Sequence, residues 1–322
     1  QQVADTLDAR CREVVFTSAA TESIAMACWG ASRRDGRRHS VMSAVEHSAV
    51  RRQADRGPCT VVGVDRTGRV DPDEIMAGVT DDTGIVHLQL ANHEVGTVHD
   101  VATVAHACRQ RDVLCHVDAA AAVGQVAVSF RDLGCDLMSV SAHKFGGPPG
   151  IGALLVRRGL RLDPLLLGGE QERARRAGLE NVPAVVGFGA AAAALDPERL
   201  AAESLEATRR TDLLRSGLAS MDGIQAHGHP VERLPHLVCV SIADIEPQAV
   251  LLGLDRIGVA AHSGSACASE VLEPSPVLEA MGVDAHRSLR LSVGWNTTDA
   301  DLDAAVESAL VTKYRNSVHT CV

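Results

Sequence analysis

A single lysine stands in the chain's most chemically suggestive stretch, Asp136–Gly152 (DLMSVSAHKFGGPPGIG). Of the 31 lysine and arginine residues only two are lysines, Lys144 in this stretch and Lys313 near the C-terminus. The amine of lysine can lose its proton and bond to a carbonyl carbon, which a guanidinium does not do. A lysine after a buried strand, beside Ser141 and His143 and before a glycine-rich turn, suits a carbonyl cofactor with a phosphate group. The alternative is an ordinary surface lysine where a strand meets a loop.

Two more candidates follow predicted strands. Asp118 ends a buried strand 26 residues before Lys144, and an ionised carboxylate there is costly unless it pairs with a cation. A protonated pyridine nitrogen is one such cation, and the pair would keep the ring an electron sink; a helix N-cap is the alternative. The ring of His47 suits stacking on a planar cofactor, although a structural histidine is the simpler interpretation of this residue alone.

Three other positions suggest an anion site or a nucleophile. Ser18–Glu22 is typical of a loop that leads into a helix N-terminus, where free N–H groups near Thr21 favour an anion such as phosphate. The alternative is an ordinary helix N-cap. Cys267 lies in the small, hydrophilic stretch SGSACAS, where a thiol is either accessible and reactive or exposed without a role. Arg290 lies in an alternating strand, where an inward guanidinium needs an anion such as a carboxylate; an exposed strand arginine is the alternative.

Strands that alternate with helices would position these residues. Such alternation indicates parallel βαβ units, and open α/β sheets build their sites just past the strand ends, where most of the candidates fall. The predicted strands are Val14–Thr17, His39–Ala44, Val61–Val64, Ile85–Leu90, Val113–Val117, the strand beginning at Asp136, and Gly152–Val156.

The pattern changes after a long charged helix predicted over Pro197–Met221. Strands in IQAHG, HLVCVSI and RSLRLSVG are mixed with helices over Gln248–Arg256 and Thr298–Tyr314. We therefore expect an α/β fold with a large domain of residues 1–200 and a smaller α+β domain of residues 201–322.

Composition narrows the class of protein. Of 322 residues, 46% are hydrophobic but only 2% aromatic, which predicts a core of Ala, Val and Leu as in closely packed parallel sheets. A net charge of −10 argues against non-specific nucleic-acid binding by the whole surface. No apolar run approaches the roughly 18 residues of a membrane span, and no signal peptide is visible. The opening QQVADTLDARC reads as the middle of a helix, so we expect a piece of chain before it.

The cysteines indicate free thiols. Nine are present, an odd number, and none form a C-x-x-C motif. This favours neither a zinc site nor a disulfide framework. A reducing cytoplasm is the simplest expectation, and no metal is predicted.

Together these stretches resemble the NifS/IscS-like cysteine desulfurases, pyridoxal-phosphate enzymes of the class V aminotransferase family. The resemblance covers almost the whole chain. It runs in the family's order through FTSAATES, VEHSAV, ANHEVGTV, HVDAAAAVGQ, DLMSVSAHKFGGPPGIGAL, GGEQERARRAG, HSGSACASEVLEPSPVLEAMG and RLSVG. It implies a large α/β domain like that of aspartate aminotransferase, with a mainly parallel sheet, plus a smaller α+β domain. SGSACAS followed by LEPS resembles the subclass with a longer, mobile cysteine loop.

The resemblance implies a role for each candidate. Lys144 would be the Schiff-base lysine and proton shuttle, Asp118 would pair with the pyridine nitrogen, and His47 would stack on the ring. Cys267 would be the nucleophile that receives sulfur. The phosphate would be held by Ala20, Thr21, Ser141 and His143. Substrate binding would fall to Arg290, which grips the α-carboxylate, and to Asn92, His93 and Arg176, the last in a region that lies near a dimer partner's active site.

Three positions depart from the family pattern. His93 replaces the second of two adjacent asparagines, Ala121 replaces a glutamine near the cofactor's phenolic oxygen, and Leu179 replaces a threonine that reaches the neighbouring subunit's phosphate. We predict that His93 takes over the contact with the phenolic oxygen or with the substrate carboxylate.

The implied activity is removal of sulfur from L-cysteine, which gives alanine and a persulfide on Cys267. The implied partners are a sulfur-acceptor protein and a second copy of the chain in a homodimer, with no membrane and no direct contact with nucleic acid. The acceptor pathway stays open between iron–sulfur assembly, tRNA thiolation and DNA phosphorothioate modification. Two other functions also stay open: a different pyridoxal-phosphate C–S or C–Se lyase, and a sulfur-transfer scaffold with little activity of its own, which the three departures favour.

Overall fold

A mixed sheet and a smaller antiparallel sheet organise the computed structural model, which describes residues 1–243, 247–263 and 274–319. The chain divides into two units. The first comprises Gln1–Gly63, Val70–Asn92 and His99–Leu200, and the second comprises Val64–Arg69, His93–Val98 and the chain from Ala201 onward. Two short segments of the predicted large domain therefore belong to the second unit.

The strands lie close to the predicted positions. In the described residues they are β1 (Val14–Thr17), β2 (His39–Ser43), β3 (Cys59–Val62), β4 (Thr83–Gln89), β5 (Leu114–Asp118), β6 (Leu137–Ser141), β7 (Gly152–Val156), β8 (Ile224–His227), β9 (Leu237–Ile242) and β10 (Ser288–Ser292).

The helices connect these strands. In the same residues they are α1 (Gln2–Thr6), α2 (Ala20–Arg33), α3 (Ser48–Arg51), α4 (Pro72–Ala77), α5 (Val101–Gln110), α6 (Phe130–Leu133), α7 (Gln171–Ala174), α8 (Val182–Ala193), α9 (Pro197–Ala219), α10 (Pro247–Arg256), α11 (Pro276–Ala280) and α12 (Asp299–His319), with 3₁₀ turns at Ala54–Arg56, Ala142–Phe145 and Ala285–Arg287.

The sheet of the first unit has seven strands in the order β1-β7-β6-β5-β4-β2-β3. From β3 to β6 every neighbouring pair is parallel, which confirms the predicted α/β class with a mainly parallel sheet. Strand β7 runs antiparallel to β6, and β1 runs antiparallel to β7. The reversal of β7 follows from its short connection to β6, residues 142–151, because a parallel crossover needs a dozen residues or more.

The core of this unit is aliphatic, as the composition predicts. Strands β4 to β7 are buried along their whole length, which is expected when helices cover both faces of a sheet. Helix α2 packs its apolar side on the sheet, in a cluster with Val15, Met26, Ala27, Ala31, Ile85, Leu114, Leu137, Leu154, Val156 and Leu160. This packing fixes the helix against the strand ends described below.

The second unit is built on the antiparallel sheet β10-β9-β8. Its core joins the sheet to α9, α10 and α12, with Leu214, Leu218, Val238, Val240, Leu254, Leu289, Leu291 and Leu302 among its members. The segment His93–Val98 joins this unit through a hydrogen bond from the Val98 N–H to the Glu232 carbonyl, 2.9 Å. A bridge between Thr97 and Arg233 adds to it.

Three features bear on the expectations about membranes, metals and thiols. No described helix is long and apolar enough to cross a membrane. Within the described ranges, no group of three or more His, Cys, Asp or Glu side chains could hold a metal ion. The described cysteines are free thiols: Cys11, Cys28, Cys59, Cys108, Cys115, Cys135 and Cys239.

Candidate active site

Most candidates of the first unit lie at one edge of the seven-stranded sheet. Strands β2, β4, β5 and β6 run parallel and end at the same edge. His47, Asn92, Asp118 and Lys144 each follow or end one of these strands within four residues. The register places Gln89 opposite Asp118. The sheet therefore brings together residues that are up to about a hundred positions apart in sequence.

Lys144 lies in the 3₁₀ turn Ala142–Phe145 directly after β6. Its side chain is exposed and makes no hydrogen bond or ion pair with any described residue. Gly147 closes the turn against Ala142, and a Cβ at Gly147 would lie 2.7 Å from the Ala142 Cβ. Close packing of the turn therefore requires glycine at position 147.

A serine and a histidine flank the lysine. The Ser141 hydroxyl and the His143 Nδ1 lie 2.9 Å apart. Partial burial, together with the charge of Lys144, lowers the pKa of His143 below its ordinary value, which keeps the imidazole neutral at pH 7. A neutral imidazole and a hydroxyl beside an ammonium group are suitable hydrogen-bond partners for an anion.

Asp118 ends β5 with its side chain largely buried, as its 8% residue exposure shows. Its Oδ1 accepts a hydrogen bond from the Ala120 N–H at 3.0 Å. A carboxylate this buried is stabilised by a cationic donor when one is available. The carboxylate is thus buried at the end of its strand, and its pairing with a cation stays a prediction.

His47 is the N-cap of α3, and its Nδ1 accepts a hydrogen bond from the Ala49 N–H at 3.1 Å. An imidazole nitrogen that accepts a hydrogen bond carries no proton, so the neutral ring of His47 carries its proton on Nε2. The ring is half-buried. Its tautomer and orientation are therefore set by the start of α3.

The N-terminus of α2 lies at the same edge because β1 ends there. Ala19 is the N-cap of this 14-residue helix, its backbone is extended, and no side chain caps the helix. The first N–H groups of such a helix have no intrahelical acceptor and favour an anion. They belong to Ala20 and Thr21, the residues that the sequence assigned to phosphate binding.

Arg176, which the resemblance assigned to the substrate, is paired within its own unit. Its Nε lies 2.8 Å from Oε1 of Glu22 in the first turn of α2. The other oxygen of Glu22 accepts the Ser18 N–H at 2.8 Å. Burial tends to raise the pKa of Glu22, but the hydrogen bonds from Arg176 and Ser18 outweigh it and lower the pKa. The guanidinium therefore neutralises an acid beside the uncapped helix start.

The second unit brings Arg290 and His93 together. The Arg290 guanidinium donates to the His93 carbonyl at 3.2 Å, and His93 Nε2 lies 3.5 Å from Oε1 of Glu94. Burial tends to raise the pKa of Glu94, but His93, the Ser275 hydroxyl and the charge of Arg290 together lower it. The Glu94 carboxylate is thus stabilised in its ionised form by the side chains of His93 and Arg290.

Cys267 lies outside the described residues, but the residues on both sides of residues 264–273 are anchored in this cluster. His262 exchanges two backbone hydrogen bonds with Arg290, of 3.1 and 2.7 Å. The Ser275 hydroxyl donates to the carboxylate of Glu94. The described residues closest to this segment therefore contact Arg290 on one side, through His262, and Glu94 on the other, through Ser275.

Sequence reasoning missed two buried acids, Glu46 and Glu94. Each is a charged residue beside a candidate histidine in an otherwise apolar or neutral stretch, VEHSAV or NHEVG. That pattern could have identified them. A charged residue inside an apolar run is seldom fully buried unless its side chain is paired or hydrogen-bonded. Glu94 is 3% exposed and Glu46 is 1% exposed.

The chain belongs to the aminotransferase class-V family, whose model matches residues 1–305. A curated relative is the cysteine desulfurase IscS of Methanosarcina thermophila, 39% identical over 98% of this chain and 81% of its own length. This and other relatives at 38–41% identity over most of the chain support an enzyme of the cysteine desulfurase class. The resemblance seen in the sequence is confirmed.

Solved structures agree with this assignment. A NifS-like protein superimposes with a TM-score of 0.88 at 30% identity, covering 97% of this chain and 86% of the other. SspA in complex with cysteine gives a TM-score of 0.78 at 27% identity, covering 91% of this chain and 84% of the other. DndA from Streptomyces lividans gives a TM-score of 0.77 at 35% identity, covering 90% of this chain and 85% of the other. The predicted enzyme fold is therefore the fold of known NifS-like proteins.

Proposed function

We propose that this chain is a pyridoxal-phosphate-dependent cysteine desulfurase that takes sulfur from L-cysteine and carries it as a persulfide on Cys267. The observation that carries the proposal is the arrival of Lys144, Asp118 and His47 at one edge of the sheet, from the parallel strands β6, β5 and β2. The similarity to SspA, solved in complex with cysteine, supports the substrate. The family's reliance on pyridoxal phosphate supports the cofactor.

The donor set at this edge fits the cofactor. The Lys144 amine, which has no ion-pair partner among the described residues, would attach covalently to the cofactor's aldehyde carbon. The buried Asp118 carboxylate would accept a hydrogen bond from the protonated pyridine nitrogen. The first amides of α2, with Ser141 and His143, would hold the phosphate. When bound, the cofactor supplies an electron sink for bonds broken at the substrate's α-carbon.

The chain's own residues would supply binding and proton transfer. The Lys144 amine would remove and return the substrate's α-proton, because a neutral amine is a competent general base. Arg290 would bind the substrate carboxylate, with His93 beside it. The Cys267 thiolate would attack the sulfur of cysteine, so that an S–S bond forms as the substrate's C–S bond breaks, and alanine would leave.

An exposed apolar surface supports the proposed homodimer. Leu179 is 89% exposed and is followed on α8 by Val182 and Val186, one helical turn apart and also exposed. Contiguous exposed apolar side chains mark interaction surfaces. Cysteine desulfurases generally work as dimers, so we assign this surface, Leu179, Val182 and Val186, to a second copy of the chain.

Two matched pairs of variants test the proposed chemistry. Lys144→Ala should abolish the visible absorbance that pyridoxal phosphate gives when bound to a lysine, whereas Lys313→Ala, at the chain's other lysine, should retain it. Cys267→Ala should abolish the cysteine-dependent release of sulfide to a reductant, whereas Cys11→Ala, at an exposed thiol, should not. Alanine and sulfide are measured in parallel for all four variants.

The same measurements separate the competing functions. Full alanine production by Cys267→Ser would indicate a different C–S or C–Se lyase. Wild-type protein that stays colourless after incubation with pyridoxal phosphate would indicate a scaffold and would refute the proposal. Repeating the sulfide measurement with candidate acceptor proteins identifies the acceptor pathway.

A further inference from the structure

A fully buried acid lies beside the site, and the proposed reaction does not use it. Glu46 follows β2 and precedes His47; its Oε1 accepts a hydrogen bond from the Gln89 N–H at 2.8 Å. Its Oε2 is buried and has no hydrogen-bond partner among the described residues. An ionised carboxylate oxygen without a donor is costly in such a place, so the geometry alone favours the protonated acid.

The charges around Glu46 point the same way. Burial raises the pKa of Glu46 to about 8, the Gln89 N–H lowers it, and the charge of Asp118 on β5 raises it further. The adjacent β4 end presents the neutral amides of Gln89 and Asn92, and α3 begins at His47. Ionisation would therefore place a second carboxylate near Asp118, and no cation among the described residues lowers the pKa of Glu46 to offset this.

Glu46 also belongs to a clamp on the turn that carries His47. The Val45 carbonyl accepts hydrogen bonds from the Gln89 amide at 2.6 Å and from the Asn92 amide at 3.2 Å. Together with the bond from the Gln89 N–H to Glu46, three hydrogen bonds tie this turn to the end of β4. His47 is the next residue, so the clamp determines where its ring lies.

We infer that Glu46 is a positioning residue that carries a proton at neutral pH, holds His47 in place through this turn, and leaves Asp118 to pair alone with the cofactor. This inference rests on the proposed function, because it concerns the same pyridoxal-phosphate site. A neutral Glu46 lets one carboxylate match one protonated pyridine nitrogen. Above pH 8 its ionisation would loosen the turn and weaken cofactor binding.

Glu46→Gln and Glu46→Ala test the inference in the full chain. Glutamine has the same shape, keeps the Oε1 acceptor and is neutral at every pH, whereas alanine removes the one hydrogen bond of the clamp that Glu46 accepts. At pH 7 we expect Glu46→Gln to bind pyridoxal phosphate within about twofold of wild type. We expect Glu46→Ala to bind about tenfold more weakly, the effect of one lost hydrogen bond. The titration follows the absorbance of the bound cofactor.

Urea unfolding as a function of pH gives a measurement that does not depend on turnover. Between the ordinary glutamate pKa of 4.5 and about 8, only the folded chain holds this proton, so rising pH favours unfolding. The ratio of folded to unfolded wild type should fall about tenfold per pH unit relative to Glu46→Gln, and should level off above about pH 8.

Three results decide the inference. Superimposable pH profiles for wild type and Glu46→Gln would overturn the protonated state. Equal loss of cofactor affinity in Glu46→Gln and Glu46→Ala would show that the charge is needed and would overturn the positioning role. If wild type binds no pyridoxal phosphate but the two pH profiles still differ, the proposed function fails while the protonation of Glu46 is upheld.

Discussion

Gly152→Ala is the substitution whose effect follows most directly from the geometry. Gly152 begins β7, where it pairs with Thr17 on β1 and with Ser141 on β6. A Cβ at this position would lie 2.7 Å from the carbonyl carbon of Ala19 and 2.7 Å from the carbonyl oxygen of Val140. Both obstacles are backbone atoms, so no rotamer change relieves the contact.

The size of the effect can be estimated from these distances. Bringing 2.7 Å to the 3.4 Å of ordinary van der Waals contact requires the backbone to open by about 0.7 Å. Overpacking of a rigid core costs about 1–3 kcal/mol, and two backbone contacts place Gly152→Ala at the upper end, about 3 kcal/mol. The same opening displaces Ala19 and the first amides of α2, so cofactor affinity should fall as well.

Gly63→Ala is the matched control, because a Cβ there meets no atom within 4 Å. We expect it to change the free energy of unfolding by less than about 0.5 kcal/mol and to leave cofactor affinity unchanged. Urea unfolding and a pyridoxal-phosphate titration measure both quantities. If Gly152→Ala behaved like Gly63→Ala in both, the claim that β7 and the start of α2 are in close contact would be refuted.

Two further predictions concern pH and assembly. Burial lowers the pKa of His87 to about 4 and that of its hydrogen-bonded neighbour His116 well below its ordinary value. The unfolded chain therefore binds more protons than the folded chain below pH 6.5, and stability should fall by at least about 1.4 kcal/mol per pH unit toward pH 4. Urea unfolding should show a shallower slope for His87→Asn, and an equal slope would count against the buried neutral pair. Val186→Glu, at a side chain that is 64% exposed, should shift the sedimenting species from dimer to monomer. The control Leu205→Glu, at a side chain that is 74% exposed, should leave the dimer unchanged. If Val186→Glu also left the dimer unchanged, the surface of Leu179, Val182 and Val186 would be excluded as the dimer interface.

The sequence predicted the parts of the site that depend on local pattern. The stretch around Lys144 and the strand that ends at Asp118 carry their own signals: buried apolar runs, then polar residues, then glycine. Parallel strands deliver such residues to one edge, so their meeting could be anticipated without coordinates. The α/β class was predictable for the same reason.

Pairings between distant segments were not predictable. The positive charge of Arg176 suits an anionic substrate. Only the fold shows that Arg176 forms an ion pair with Glu22, on the first turn of α2. Glu46 looks like any charged residue between a strand and a helix, and its burial depends on Gln89 of β4. In each case the deciding partner is more than 40 residues away, beyond the reach of hydrophobic periodicity.

The two antiparallel pairings in an otherwise parallel sheet cancel each other, so that β1 runs in the direction of β6 and the phosphate donors share an edge with the lysine. Because β7 runs antiparallel to β6, Gly152 begins where Ser141 ends. Because β1 runs antiparallel to β7, Thr17 ends there too, and the start of α2 follows within three residues. If β1 ran parallel to β7, its end and the first amides of α2 would lie at the opposite edge, a strand length from Lys144. Because the short connection after Lys144 makes β7 reverse, the second reversal, between β7 and β1, is what returns the start of α2 to the site.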